Sequence, residues 1–412
     1  MEDSNIKNKS GLVKNASKDF IFSVLALVIY NGVLQLLIYP EIEHRVGEDA
    51  FGTVLYLISA VSIMGAGFGT AASYSRMMAK KNREEKNGDY NVFLLIIAAI
   101  SVPVTLGSLY LAKVASIGLF IPVLVLMIVT VFRYYADVQY RMTIRFKEYF
   151  LFFASTSVGY VLGLALYPVT GSWVFVLLLG ELFGIVFTVI TGKIFRAPFF
   201  ELSGCFKENM ISAWYISFSN LLAALILHSD RILLRILVGE GKEVTIFYTA
   251  SLVGKIVAML TTPLNGIVIS YLTNYKIEMN KKRFAAIGVA CMGLTVIGAA
   301  ACCVGSMIFV KWRYPDIYAA ASSYFFLANL GQLLYFISGS LMVVLLAFTE
   351  EKLQFIINLV YGIAFVIIVI PATYMFGIVG IAYGLVIVNT VRFITVILLG
   401  VIKLGKNRIR HE

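Results

Sequence analysis

A run of ionisable residues, His228, Ser229, Asp230, Arg231 and Arg235, is set into strongly apolar sequence. An ionised side chain at membrane depth is costly, so each such residue marks a candidate functional position. At helical spacing His228, Arg231 and Arg235 fall on one face and make a polar stripe. Lys255 lies inside another apolar run with Asn265 about three turns further on. Asn389 and Arg392 lie three residues apart in yet another. In the first half of the chain Glu181 is the acid well inside an apolar run, and Asn31 with Gln35 makes a weaker stripe. Arg76 and Arg133 stand where two apolar runs end. Asp230 is placed to pair with Arg235 or Lys255, and Glu181 with Arg392, so internal ion pairing is one role for these groups. Cations outnumber acids, however, and a water-filled site that receives an anion would balance the excess. A guanidinium suits a phosphate in particular, because it binds it bidentately and keeps its charge. The candidate anion-binding residues are therefore Arg231, Lys255, Arg392, Arg235, Arg76, Arg133 and His228, with Asp230 and Glu181 as coupling or salt-bridge partners.

Other chemistry has little material. Three histidines, His44, His228 and His411, offer few groups for acid–base or metal catalysis. Cys205, Cys291, Cys302 and Cys303 have no metal-ligand spacing and no evident disulfide pairing, and read as packing residues. No catalytic residue, cofactor or metal is expected. The net charge of +11 fits anchoring to anionic headgroups more than nucleic-acid binding, and no nucleic-acid partner is expected.

The elements that position these residues are membrane spans. The 412 residues have a mean hydropathy of +0.88 and leave no sizeable water-soluble domain. Twelve apolar stretches of about 18–25 residues have the length of membrane-crossing helices. They lie at roughly 19–38, 52–73, 90–112, 115–136, 150–169, 172–192, 211–234, 244–271, 284–310, 320–347, 353–374 and 377–402. Of 34 Lys and Arg residues, 25 fall on one side of such a topology, seven on the other, and Lys255 and Arg392 inside spans. Positive residues stay cytoplasmic, so both termini are expected inside. The first apolar run has no small-residue cleavage site after it and is expected to be retained.

The longest break, at 194–210, divides the spans into six and six: an N-terminal lobe 1–193, a cytoplasmic linker, and a C-terminal lobe 211–412. An even number of spans per lobe gives parallel repeats. Val46-Gly47-Glu48 before Phe51-Gly52-Thr53 is echoed by Val238-Gly239-Glu240 before Phe247-Tyr248-Thr249. The pairs Gly65/Gly69, Gly159/Gly163, Gly180/Gly184 and Gly380/Gly384 are spaced for close helix contact, the first also for a bend. Pro103, Pro122, Pro263 and Pro371 are further kink candidates.

Tyr39-Pro40, Gly47, Gly52, Gly65 to Gly69 and Arg76 are similar to the opening two helices of polysaccharide and O-antigen flippases. Asp230-Arg231, Gly239, Tyr248-Thr249-Ala250, Pro263-Leu264 and the closing Gly377-Ile378-Val379-Gly380-Ile381-Ala382 resemble later helices of the same family. That family belongs to the multidrug/oligosaccharidyl-lipid/polysaccharide exporter superfamily. The resemblance implies an all-α integral membrane fold, two six-helix lobes around a central cavity, in a bacterial cytoplasmic membrane. It implies alternating-access movement of undecaprenyl-diphosphate-linked oligosaccharide for cell-surface polysaccharide synthesis. Membrane lipid, the lipid-linked glycan, a polysaccharide polymerase and other biosynthetic proteins would be its partners. The chain lacks the two extra helices typical of lipid II flippases, a departure from the peptidoglycan-precursor reading. Two alternatives stand beside it. A cation-coupled multidrug exporter of the same superfamily needs acids, whereas the residues here are mostly basic. A membrane polysaccharide polymerase or ligase needs a large external loop, and the external connections are short.

Overall fold

The computed structural model describes residue 19 and residues 21–259, 265, 279–346, 348–349 and 352–406. Every regular element among them is helical, as an apolar chain in hydrocarbon requires: only a helix satisfies its own backbone donors and acceptors there. We number the helices α1 (Ile21–Val46), α2 (Glu48–Lys80), α3 (Asn87–Leu111), α4 (Ile117–Arg141), α5 (Phe146–Ala165), α6 (Trp173–Thr191) and α7 (Phe206–Leu227). They are followed by α8 (Gly241–Met259), α9 (Lys281–Arg313) and α10 (Phe325–Leu346). The stretch Leu353–Leu404 is broken at Gly377 (φ 56°, ψ −130°) into α11 before it and α12 after it. Glycine adopts that positive φ at no steric cost, which accounts for its place at the break. Ten described helices, with the whole Leu353–Leu404 stretch counted as one, are long and apolar enough to cross a membrane. The far part of the expected span 244–271, with Pro263 and Leu264, lies outside the described residues. So do Lys7, Lys9, Lys14, Lys18, Lys276, Arg408, Arg410 and His411.

One expected span differs. The seventh helix ends at Leu227 and does not continue to 234. His228 breaks it at φ −102°, ψ 7°, a short turn Ser229–Leu233 follows, and Leu234–Val238 is a π-helical turn closed by Gly239 at φ 90°. The Ser229 hydroxyl donates to the Ile226 carbonyl at 2.8 Å, the local competition that polar side chains offer a helix end. The common α-helical face of His228, Arg231 and Arg235 is therefore interrupted by the break and by the π turn.

The described residues form two compact units, one within Met1–Gly47 and Thr53–Ile232, the other within Glu48–Gly52 and Leu233–Glu412. In the first, α5 and α6 cross backbone to backbone. A Cβ placed on Gly159 would lie 2.8 Å from both the Gly180 Cα and the Leu179 carbonyl oxygen, and one on Gly163 2.7 Å from the Val176 carbonyl oxygen. Gly163→Val is accordingly expected to destabilise the purified protein by about 1–3 kcal/mol. Thermal unfolding in detergent checks it, with Gly118→Val, where nothing lies within 4 Å, as the silent control. Gly65–Gly69 forms a π-helical turn inside α2, packed on Tyr134 and Thr130 of α4. Pro103 and Pro122 lie within continuous helices, α3 and α4.

In the second unit, Phe284, Leu341, Leu345, Leu353, Ile357, Phe393 and Val396 make the core that joins α9 through α12. Asn329 of α10 is a polar knot within it. Its Nδ2 donates to the Ala250 carbonyl at 3.2 Å and the Ser306 hydroxyl at 3.1 Å, and its Oδ1 accepts the Gly254 N–H at 2.6 Å. The start of α8 is capped by Asp49, whose Oδ1 accepts the Gly241 and Lys242 N–H groups at 2.9 and 3.1 Å. Lys242 also pairs with Glu48 at 2.6 Å. The two echoed motifs share a local geometry: Gly47 (φ 83°) and Gly239 (φ 90°) each end a π-containing helical stretch just before a new helix starts.

Candidate functional sites

Four helices of the first unit converge on one buried ion pair. Arg133 of α4 donates from Nε to Glu181 Oε2 of α6 at 2.6 Å, and from Nη2 to Glu181 Oε1 at 3.3 Å. The same Nη2 reaches the Tyr30 hydroxyl of α1 at 2.8 Å, and Tyr160 of α5 donates to Glu181 Oε1 at 2.5 Å. The guanidinium also lies 5.0 Å from the Tyr30 ring centre and 4.1 Å from that of Tyr134. Arg133 is 3% exposed and Glu181 4%. Beside them is a cavity of about 30 Å³ walled by Tyr39, Thr130, Tyr134 and Ser62 as well as the four networked residues, with room for a water or two.

This geometry corrects two expectations. The carboxylate of Glu181 is engaged by Arg133 and Tyr160, not by Arg392, because α4 and α5 bring donors to both of its oxygens. Arg133 is buried in that pair instead of standing at the end of a span as a free anion-binding cation, since α4 runs on past it to Arg141. Arg76 is likewise spent on structure. Its Nε meets Glu85 at 2.7 Å, Nη1 the Tyr135 hydroxyl at 2.6 Å and Nη2 the Asn87 side chain at 2.9 Å, which clamps the turn between α2 and α3.

In the broken stretch after α7, Arg231 donates to the Ser59 hydroxyl of α2 at 3.1 Å, and Asp230 is buried. Arg235 bonds the Gly239 carbonyl, closing the π turn on itself.

The second unit holds the two cations inside spans. The Lys255 ammonium of α8 is buried 5.3 Å from the ring centre of Tyr248, about two turns earlier on the same helix. Arg392 of α12 is 6% exposed and lies between two aromatic faces, 4.6 Å from the Tyr335 centroid and 5.1 Å from that of Tyr361. Its Nη1 donates to the Tyr335 carbonyl at 3.1 Å, and its Nε has no partner among the described residues. Among the described residues it is in no ion pair. Asn389, one turn away, donates to the Gly331 carbonyl at 2.8 Å, and its own oxygen is buried without a partner among the described residues. The buried positive charge of Arg392 thus rests on carbonyl and ring faces, with no carboxylate in ion-pair reach among the described residues, a setting that favours an incoming anion.

Tyr30, Tyr160, Tyr335 and Tyr361 escaped the sequence reading. The available signal was a tyrosine inside an apolar span, whose hydroxyl must find a polar partner when buried.

No protein-family model matches the sequence, and no curated protein sequence does. Solved structures with the same fold do. A multidrug resistance MATE family transporter of the MOP superfamily in an inward-facing conformation matches with a TM-score of 0.67 at 12% identity, over 92% of this chain and 94% of that one. The lipid II flippase MurJ in an inward closed conformation matches with a TM-score of 0.67 at 13% identity, over 94% and 90%. A mutant form of the Vibrio cholerae MATE transporter VcmN matches with a TM-score of 0.60 at 12% identity, over 97% and 99%. The described residues are helical in every regular element, ten of the helices are long and apolar enough to cross a membrane, and the chain has the fold of these transporters.

Proposed function

We propose that the protein is a flippase that moves polyprenyl-diphosphate-linked oligosaccharide across a bacterial cytoplasmic membrane, with both termini inside. The observation that carries this reading is Arg392: a guanidinium buried in a span, without an acid in ion-pair reach among the described residues, between two tyrosine rings. A diphosphate supplies the missing negative charge, and sugars stack readily on aromatic faces. Arg231 and Lys255 are proposed as further contacts, with Arg235 and His228 beside them, in two six-helix lobes, 1–193 and 211–412, that alternate access to the two leaflets. A cation-coupled multidrug exporter is the second reading. It is disfavoured because Glu181, an acid deep in a first-unit span, is already held by a guanidinium. A membrane polymerase or ligase is disfavoured by the scarcity of catalytic groups. Purified protein mixed with an undecaprenyl-diphosphate oligosaccharide is expected to bind it and return it with unchanged mass. A lengthened or cleaved glycan would overturn the reading in favour of an enzyme.

A further inference from the structure

The connection between α6 and α7 is pinned to the start of α3 with unusual thoroughness. Asp89, itself buried, accepts the Ser203 N–H at 2.9 Å, the Ser203 hydroxyl at 2.6 Å and the Asn209 side chain at 2.9 Å. Asn87 donates to the carbonyls of Lys193 and Arg196 at 3.1 and 3.4 Å, and Asn91 to that of Phe199 at 3.0 Å. Gly88 leaves no room for a side chain against the Glu201 backbone. A backbone held this firmly would be free to fold its apolar side chains inward, yet Phe199, Phe200 and Leu202 face outward, Phe200 at 65% exposure.

Two features say what covers them. The flanking helices also present exposed apolar side chains, Ile190 of α6 and Ile211, Tyr215 and Phe218 of α7, and both helices have the length and hydropathy of membrane spans. The same strip carries the exposed cations Lys193, Arg196 and Lys207, none in an ion pair among the described residues. Its acids are largely spoken for. Glu201 binds Lys86 at 2.7 Å, a bond that holds the Lys86 ammonium above its ordinary pKa, and Glu84 accepts the Gly204 N–H at 3.1 Å. Glu208 is the remaining exposed carboxylate.

We propose that residues 193–207 form a docking surface for the anionic phospholipid of the cytoplasmic leaflet. Phe199, Phe200 and Leu202 enter the boundary between headgroup and acyl chain, and Lys193, Arg196 and Lys207 bind the headgroup phosphates. An aromatic body at the interface beside cations at phosphate level is the arrangement that interfacial anchoring calls for. Asp89 is its positioning residue, because it fixes the loop that presents the phenylalanines.

The test uses full-length protein in nanodiscs of phosphatidylcholine with and without phosphatidylglycerol. With Trp173, Trp214 and Trp312 replaced by Phe, a Phe200→Trp reporter is expected to be blue-shifted and quenched at least twofold by brominated phosphatidylcholine. A red, unquenched emission would overturn the insertion and leave the strip to a protein partner. Native mass spectrometry of protein with unaltered aromatics, mixed with the two lipids in detergent, is expected to show phosphatidylglycerol retained in preference. In the Lys193→Gln/Arg196→Gln/Lys207→Gln variant that preference is expected to fall about tenfold to a hundredfold. No preference in the parent protein, or an unaltered preference in the variant, would overturn headgroup recognition.

Discussion

Replacing Arg392 with Gln is expected to abolish export of lipid-linked glycan while the protein stays inserted and abundant. The guanidinium touches a carbonyl and two rings, and it is in no ion pair among the described residues, so its removal strands none of their carboxylates. What is lost is the contact to an anionic ligand, about 1.5–3 kcal/mol for a charge-assisted hydrogen bond, or roughly tenfold to a hundredfold in affinity. Arg231→Gln and Lys255→Gln are expected to act in the same direction. Arg392→Lys should recover only part of the activity, because an ammonium cannot make a paired contact and fits less well between flat rings. Titration of purified variants with lipid-linked glycan measures the affinity, and their yield from the membrane fraction measures folding. Low yield from a misfolded Arg392→Gln protein, cured by removing an acid elsewhere, would return the residue to a structural role.

The second large effect is expected in the first unit. Arg133→Met alone strands the Glu181 carboxylate in a buried site, and Glu181→Leu alone strands the guanidinium. Breaking a buried pair on one side costs about 3–5 kcal/mol. The double variant Arg133→Met/Glu181→Leu leaves two apolar side chains facing each other and is expected to recover most of that loss, since replacing both partners is often near neutral. Thermal unfolding of the three variants in one detergent reads the cycle. If transport also returns in the double variant, the pair is structural. If stability returns and transport does not, the pair contributes to the working cycle itself.

Much of the architecture was legible in the sequence because bilayer thickness sets a length and hydrocarbon enforces helix formation. The apolar runs in 90–112, 115–136 and 172–192 correspond closely to α3, α4 and α6, and Gly159, Gly163 and Gly180 stand where α5 meets α6. What periodicity could not show was the break at His228. A helix-period stripe assumes a continuous helix, and Ser229 and Gly239 end it locally. Ion-pair partners were the least legible. In the sequence Glu181 is placed to pair with Arg392, and only the crossing of α4, α5 and α6 selects Arg133. Arg76 read as a terminal cation because its acceptors, Glu85, Asn87 and Tyr135, are nine or more residues away in sequence. Asn329 gave no sign at all. A lone Asn in an apolar run looks like any other polar residue until three helices are seen to share it.

The central claim, movement of an anionic lipid-linked glycan, is tested most directly in proteoliposomes. A fluorescent undecaprenyl-diphosphate oligosaccharide is placed in both leaflets, and a membrane-impermeant reductant destroys the fluorophore in the outer one. Loss of essentially all fluorescence with the parent protein, against loss of about half with Arg392→Gln or with empty liposomes, is the expected result. Loss of only half with the parent protein, in liposomes where the same preparation moves a cationic dye, would contradict the flippase reading and favour the multidrug exporter.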